Sequence, residues 1–289
     1  MSKFEEVKRI LRGKAEEKDG IFFYLPRLSE FTRQEIEFHG RIHADEEEIH
    51  QLKTIRNRYY HSYFRKYLLK LPADSIILEI GSGSGFDCLP LIKAGRQVIA
   101  SDISFDSIRG VKEKGGLKGN IAYLVADGEN LPLADNSIDA VFLVASLHHF
   151  PSSEMILKEI RRVVKKGGLV TFAMEPSRFM MRATRLFASN KSLRIYQGHS
   201  EADETHPGYN QADWKRIISD FKVIELKRVW LTLGFLHYFL EGIYRLFRLK
   251  KRIKAPEAIE WILLVLDEIL LKIPLINGIN WHWIAVLTK

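Results

Sequence analysis

Three glycines at alternating positions and a carboxylate further along are the residues whose types and spacing most directly suggest ligand binding. Gly81, Gly83 and Gly85 follow one apolar segment, and Asp102 ends the next one, residues 98–102. Glycine has no Cβ, so such a turn lets the backbone approach a ligand closely, and a helix beginning after it favours an anionic group. An acidic residue about 20 positions after the turn is placed to bind ribose hydroxyls. The pattern predicts a nucleoside-containing ligand.

The same spacing excludes two common kinds of nucleotide site. The dinucleotide fingerprint G-x-G-x-x-G requires a third glycine where this chain has Phe86. A phosphate-binding P-loop requires Gly-Lys-Ser/Thr after its glycines, and this sequence is absent here.

Several successive motifs resemble those of the Rossmann-like (class I) S-adenosylmethionine-dependent methyltransferases. Glu79 and the three glycines match E-x-G-x-G-x-G, and residues 127–139 resemble D-(A/G)-E-x-L-P-(F/L)-x-D-x-S-F-D. Residues 146–149 are similar to the x-L-H-H sequence of quinone-biosynthesis enzymes. Residues 159–168 match E-x-x-R-V-L-K-P-G-G except that lysine replaces the proline. The resemblance covers roughly residues 75–228 and the final strand.

This resemblance implies S-adenosyl-L-methionine as cofactor and S-adenosyl-L-homocysteine as product. The three glycines are then expected to line the methionine end, while Asp102 binds the ribose hydroxyls. Ile103 is expected to pack on adenine, and Asp127 to bond it. The remaining residues expected at the cofactor site are Glu79, Gly128 and Ala145.

Two adjacent histidines, His148 and His149, follow the predicted fourth strand. Methyl transfer from a sulfonium is an in-line displacement, which depends mainly on positioning. A hydroxyl nucleophile also needs a general base, commonly histidine. We expect His148 to be this base and His149 to be the second candidate; the alternative is that one packs inward and the other shapes the pocket.

Apolar strands alternating with helical patterns predict an α/β fold. We expect a Rossmann-like, mostly parallel seven-stranded sheet with helices on both faces, N-terminal helices and a helical insertion before the last strand. The expected units are an N-terminal helical cap (1–70), a cofactor-binding core (71–229, with an inserted segment at 177–210), an apolar helical insertion (230–280) and the last strand (281–289). The ligand is expected beyond the carboxyl ends of the strands, near the switch point.

A long helix predicted over residues 44–69 precedes the first core strand and can contribute to the acceptor pocket. Its candidate acceptor-binding residues are Tyr59, Tyr60 and His61. The alternative is that these rings pack the helix against the sheet.

The segment after the fifth strand supplies further candidates. Arg178, Arg182 and Arg185 are spaced to share one helix face, where they either hold an anionic substrate or are solvated. His206 and Tyr209 lie in a polar loop expected near the pocket. The histidines and acids of this loop lack a tight ligand spacing, so no metal is expected.

The insertion before the last strand is unusually apolar. One helix over 231–248 carries a polar stripe of His237, Glu241, Arg245 and Arg248, and a basic cluster leads to a second apolar helix over 259–271. Neither has the roughly 18 uncharged residues needed to cross a bilayer. Three roles fit residues 231–273: a lid over an apolar pocket, contact with an anionic membrane, or a homodimer interface.

Composition restricts the partners. The 289-residue chain has one cysteine, which excludes an internal disulfide, and a net charge of +8 that is concentrated in its C-terminal third. The N-terminus lacks the apolar core of a signal peptide, so a cytoplasmic, possibly membrane-associated protein is expected. The favoured partner is a small, apolar or lipid-like methyl acceptor. Nucleic acid is unlikely because the (N/D)-P-P-(Y/F) motif of amino-directed enzymes is absent; a non-catalytic scaffold of the same fold is the other alternative.

Overall fold

The computed structural model describes residues 3–12, 15–25, 33, 36, 54–115, 120–188 and 206–289. The helices of this part of the chain are α1 (Lys3–Ile10), α2 (Ile55–Leu68), α3 (Cys88–Lys93), α4 (Phe105–Gly115), α5 (Ser153–Val163), α6 (Arg178–Ala188), α7 (Gln211–Ile217), α8 (Thr232–Leu246) and α9 (Glu257–Leu270). The strands are β1 (Glu16–Lys18), β2 (Ile21–Tyr24), β3 (Ile76–Ile80), β4 (Gln97–Asp102), β5 (Ile121–Ala126), β6 (Ile138–Val144), β7 (Val164–Pro176), β8 (Lys222–Val229) and β9 (His282–Thr288).

The strands form one sheet in the order β1-β2-β5-β4-β3-β6-β7-β9-β8. The pairs from β2 to β7 are parallel, whereas β1 pairs antiparallel with β2, and β9 pairs antiparallel with both β7 and β8. Strand β3 lies between β4 and β6, so the chain order reverses there. This reversal opens a crevice at the carboxyl ends of β3 and β6, the usual ligand position in open α/β sheets.

The mixed α/β fold with a mostly parallel sheet is confirmed, but the sheet has nine strands rather than the expected seven. The two additional strands, β1 and β2, lie in the N-terminal segment that the sequence predicted to be helical. Strand β2 extends the parallel sheet by pairing with β5, Ile21 opposite Tyr123. These strands are only three and four residues long, which is too short for a clear alternating pattern.

Apolar side chains alternate between the two faces of the sheet and so build two cores. On one face, Leu78 and Val141 pack with Ile156 of α5 and Trp214 of α7. On the other face, Ile77 and Phe142 contribute to a core that includes Phe64 of α2 and residues of α3, α4, α8 and α9. Helices α8 and α9 therefore lie on the same face of the sheet as α2.

The helix predicted over 44–69 is observed as α2, which begins after Thr54; residues 44–53 lie outside the described residues. Thr54 caps the helix because its hydroxyl accepts a hydrogen bond from the Asn57 amide at 3.3 Å. Residues spaced by a turn, Tyr60, Phe64 and Leu68, are fully buried. Their burial fixes which face of α2 meets the sheet and leaves His61 on the adjoining flank.

Candidate active site

The glycine turn follows β3 and has the backbone that its sequence predicts. Gly81, Gly83 and Gly85 have φ angles of +74°, +48° and +80°, which L-residues with side chains rarely adopt. A Cβ at Gly81 would lie 2.1 Å from Ser146 Oγ. The turn is therefore pressed against the segment that follows β6, and only glycine fits at its first position.

Asp102, at the end of β4, holds the glycine turn through its carboxylate. Its Oδ2 accepts a hydrogen bond from the Gly83 amide and its Oδ1 from the Ser104 amide, both at 2.9 Å. A carboxylate has about four lone-pair sites, so these two bonds leave acceptor capacity for ligand hydroxyls. Ile103 follows it and is half-buried.

Asp127 directly follows the next strand, β5, and also accepts a hydrogen bond from the backbone two residues later. Its Oδ1 accepts from the Glu129 amide at 2.9 Å, and burial raises its pKa despite this bond. A Cβ at Gly128 would lie 2.7 Å from Phe150 and 2.8 Å from Ile80. The structure thus places Asp102 and Asp127 at the carboxyl ends of neighbouring strands.

Unpartnered polar atoms surround the glycine turn. Glu79 is fully buried, and its pKa is raised well above the ordinary value, first by burial and then by the nearby charge of Asp87. Four buried side-chain atoms here have no hydrogen-bond partner among the described residues: Glu79 Oε2, Ser82 Oγ, Ser101 Oγ and His61 Nε2. Buried polar groups are ordinarily satisfied. These four atoms can all accept hydrogen bonds, so together they suit a polar ligand that carries a cationic group.

His148 lies in a short 3₁₀ turn, Leu147–His149, after β6, and is held by Glu175 of β7. Its Nδ1 is 3.0 Å from Glu175 Oε2, while Glu175 Oε1 accepts from the Ser146 and Leu147 amides at 2.9 and 2.8 Å. Burial acts to raise the pKa of Glu175, but the hydrogen bond and charge of His148 and the two amides hold it below its ordinary value. The ionised carboxylate accepts the Nδ1 proton, so a proton that His148 gains or loses is exchanged at Nε2.

Three histidines and a tyrosine come together next to this pair. The His148 ring centroid lies 4.1 Å from that of His149 and 6.1 Å from that of His206, and His206 lies 4.7 Å from Tyr209. Burial and then the charge of His148 lower the pKa of His206 to about 4. The Gly208 amide donates to His206 Nδ1 at 3.0 Å. His206 is therefore neutral near pH 7, with its proton on Nε2.

Tyr209 adds a buried hydroxyl to the cluster. This hydroxyl has no hydrogen-bond partner among the described residues, and burial raises the pKa of the phenol. The phenol stays protonated at neutral pH, so it is available as a donor to a bound molecule.

His61 belongs to a second buried dyad. Its Nδ1 lies 2.9 Å from Asp87 Oδ1, and both side chains are almost entirely buried. Arg65 adds a positive charge 3.6 Å from the same carboxylate oxygen. The His61 ring also meets the edge of Phe86 at 4.9 Å between centroids, so α2 is joined to the glycine turn through this pair.

The other predicted acceptor residues have different surroundings. Tyr60 is fully buried and its hydroxyl lies 3.4 Å from Glu268, and Tyr59 stacks edge-on against Tyr60 at 4.9 Å. Arg178 forms an ion pair with Asp213 at 2.7 Å. Tyr59 and Tyr60 thus lie beside α9, whereas the Arg178 amide donates to the Tyr209 carbonyl at 2.9 Å, next to the histidine cluster. Ala145 directly follows β6 and has a φ of +48°.

Sequence reasoning missed two carboxylates of the site, Glu175 and Asp87. Glu175 is the penultimate residue of an apolar strand, much as Asp102 is the last residue of another, and that position at the carboxyl edge was the available signal. Asp87 lies two residues after Gly85, and nothing in the sequence pairs it with His61, which is 26 positions earlier. Among the described residues, no group of three or more histidine, cysteine or acidic side chains could hold a metal ion.

Comparison with protein families matches residues 78–172 to a family model described as a methyltransferase domain. Among curated proteins, demethylmenaquinone methyltransferase of Corynebacterium kroppenstedtii is 35% identical over 107 residues, which cover 37% of this chain and 44% of that protein. Malonyl-[acyl-carrier protein] O-methyltransferase of Hamiltonella defensa is 31% identical over 109 residues, covering 37% of this chain and 41% of that protein. The chain thus spans less than half the length of these relatives.

A solved structure extends the similarity over most of the fold. The chain is similar to a putative sarcosine dimethylglycine methyltransferase from Galdieria sulphuraria, with a TM-score of 0.59 at 14% identity, covering 89% of this chain and 97% of that one. At this identity the likeness concerns the fold. Its coverage includes elements outside the segment 78–172, which the family model matches.

Proposed function

We propose, from the chain's membership of the Rossmann-like (class I) S-adenosylmethionine-dependent methyltransferases, that it transfers the cofactor's methyl group to a small, apolar or lipid-like molecule. The single observation that carries this proposal is the set of orphaned polar atoms around the glycine turn. Glu79 Oε2 suits the ammonium of the cofactor's methionyl part, and the serine hydroxyls suit its carboxylate. The residues present therefore fit the cofactor.

The far end of the cofactor would be held by the two aspartates. Asp102 keeps acceptor sites for ribose hydroxyls, and Asp127 provides an acceptor for the adenine amino group beside the close-packed Gly128. When bound, the cofactor supplies an activated methyl group on its sulfonium. The chain's own residues align the acceptor and exclude water, which is catalysis mainly by positioning.

Binding of the cofactor is tested by calorimetry with S-adenosylmethionine, S-adenosylhomocysteine and NADH. We expect the first two to bind. Replacement of Asp102 by alanine should weaken their binding by roughly 1.5–3 kcal/mol, because a charge-assisted contact is lost. Asp106→Ala removes an exposed carboxylate on α4 that pairs with Arg109, one helical turn away, and should leave affinity unchanged. Binding of NADH in place of the sulfonium nucleoside overturns the proposal.

His148 is proposed as the general base for a hydroxyl acceptor. Glu175 holds its Nδ1 proton, so Nε2 accepts the acceptor's proton and the imidazolium formed is stabilised by the carboxylate. This contact with Glu175 is the reason for proposing His148 as the base in preference to His149. Neutral His206 and the Tyr209 hydroxyl provide donors beside it that can orient the acceptor.

The role of His148 is tested with a His148→Gln variant and a labelled methyl donor. If His148 is the base, kcat should fall roughly 10²–10⁴-fold while the affinity for S-adenosylmethionine stays the same. His149→Gln is the matched control and should lower kcat much less. A similar loss in both variants would contradict the assignment and indicate a packing role for the pair.

The acceptor class is proposed from two observations. The similar protein from Corynebacterium kroppenstedtii is a demethylmenaquinone methyltransferase, and the apolar insertion packs on α6, which follows the strand carrying Glu175. A panel of quinols, phenols, acyl thioesters and RNA, incubated with labelled cofactor, tests this class. Label on an apolar acceptor is expected, whereas label on RNA alone would contradict it.

A further inference from the structure

Helices α8 and α9 bury acidic side chains and expose large apolar ones, the opposite of what is expected of surface helices. Their acids Glu241, Glu260 and Asp267 are buried, although the sequence placed Glu241 on a polar stripe around which the apolar residues were arranged. Leu233 and Leu264 pack inward, but many of the large apolar side chains, most of those on α9, point outward. Since surface helices normally direct their apolar stripe at the core, this orientation needs a physical cause.

The buried acids fix that orientation. Glu260 accepts from the Ile55 amide at 2.6 Å, which places its charge at the N-terminus of α2. Asp267 accepts from the Leu231 and Thr232 amides at 2.9 and 2.7 Å at the N-terminus of α8. Rotating α9 to bury its apolar face would leave these helix ends without acceptors and would break their hydrogen bonds.

The outward face of these two helices is a large apolar surface. Phe239 of α8 is 65% exposed, and Ile262 of α9 is 66% exposed. The other exposed large apolar residues of the two helices and the loop between them are Phe235, Leu246, Phe247, Leu249, Ile253, Ile259, Trp261, Val265, Leu266 and Ile269. Exposed apolar surface of this kind is typical of an interaction site.

A basic loop joins the two helices at one end of this surface. Residues 247–256 contain no acid, and their exposed cations are Arg248, Lys250, Lys251 and Lys254. Phe247, Leu249 and Ile253 are exposed between these cations. A second copy of the chain would bring the same cations to a two-fold interface, whereas anionic headgroups would neutralise them.

We propose that this surface, the outward face of residues 232–270, docks on an anionic lipid bilayer. The apolar side chains enter the boundary between headgroups and acyl chains, and the cations of the loop bind lipid phosphates. No helix among the described residues is long and apolar enough to span a membrane, so the contact is interfacial. Phe235 meets Phe179 of α6 at 5.9 Å between ring centroids, so this surface borders the helix that follows the strand end holding Glu175.

The chain contains its own reporter of this contact. Of its five tryptophans, Trp214, Trp230, Trp281 and Trp283 are buried, and Trp261 in the docking surface is 50% exposed. Phosphatidylcholine vesicles containing phosphatidylglycerol should shift the emission of the full-length protein to shorter wavelength. Lipids brominated on their acyl chains should quench it. Neither change should occur with Trp261→Phe.

Charge and apolar contributions are separated by two variants. Substitution of Lys250, Lys251 and Lys254 by glutamine should weaken vesicle binding roughly a hundredfold, from about a fivefold loss per cation. The matched control replaces Lys158, Lys166 and Lys215, three exposed lysines on α5, at the start of β7 and on α7, by glutamine. It should bind as the unaltered chain does. Ile262→Ser with Val265→Ser should also weaken binding, without affecting folding because both side chains are exposed.

The outcomes decide between a bilayer and the other occupants of this surface. Vesicle binding that requires phosphatidylglycerol, falls with salt and is lost only in the two docking-surface variants supports the proposal. Absence of binding to vesicles that contain phosphatidylglycerol overturns it. So does sedimentation as a dimer that the Ile262→Ser, Val265→Ser variant converts to a monomer without any vesicle binding. None of these measurements depends on methyl transfer, so their failure leaves the proposed function in place.

Discussion

At the scale of single residues, what surrounds a backbone position matters as much as its conformation. Gly81 and Gly95 have nearly the same φ, +74° and +80°. A Cβ at Gly95 would meet nothing within 4 Å, whereas one at Gly81 would overlap Ser146 Oγ. The pair therefore separates backbone strain from the close contact between the glycine turn and the segment after β6.

Alanine substitutions at these two glycines should differ in their effect on stability. Gly95→Ala should lower the free energy of unfolding by about 1–2 kcal/mol, the strain of a left-handed backbone. Gly81→Ala should lower it by about 1–3 kcal/mol more, because the new methyl group displaces Ser146. Urea unfolding measures both, and adding Ser146→Gly to Gly81→Ala should recover most of the difference. Equal losses in the two single variants would contradict the close contact.

At the scale of elements, helices α2 and α8 receive their N-terminal caps from α9. Glu260 and Asp267 are seven residues apart, so they project from the same side of α9, each to the start of a different helix. Lys227 adds an ion pair to Glu268 next to them. The insertion is thus attached to the core by directional polar contacts as well as by the packing of Leu233 and Leu264.

Loss of one of these caps should destabilise the protein. Asp267→Asn leaves one acceptor oxygen, and its side-chain NH2 group would face a backbone N–H donor of Leu231 or Thr232. This substitution should lower the free energy of unfolding by about 2–3 kcal/mol. Asp220→Asn alters an exposed ion pair with Arg161 and should change it by less than about 1 kcal/mol. Urea unfolding compares the two variants. Equal stabilities would show that the cap of α8 contributes nothing.

The sequence predicts some elements much better than others. The core strands and β9 agree with their patterns, because β3 to β6 are apolar segments bounded by turn residues, and the expected histidines and aspartates lie at their carboxyl ends. Glu241, Glu260 and Asp267 were not assigned to the interior, since helical periodicity shows which residues share a face and not which face is buried. Their partners are 11 to 205 positions away.

At the scale of the whole molecule, the candidate site and the docking surface adjoin each other and have different proposed roles. The site occupies the crevice where the strand order reverses, between β3 and β6. The docking surface lies on the sheet face that α2 covers, and it reaches the site's edge through α6. A bilayer held there would present dissolved acceptors close to the histidine cluster.

This arrangement predicts that docking affects acceptor delivery and leaves the chemical step unchanged. With a long-chain quinol dissolved in vesicles containing phosphatidylglycerol, the Lys250→Gln, Lys251→Gln, Lys254→Gln variant should show a KM raised roughly tenfold or more at unchanged kcat. With a short-chain, water-soluble quinol, the same variant should match the unaltered chain in both constants. The Lys158→Gln, Lys166→Gln, Lys215→Gln control should behave normally with either acceptor. An equal rise in KM for both quinols would place the lysines in the acceptor site itself. A fall in kcat with no change in KM would show that docking does not deliver the acceptor.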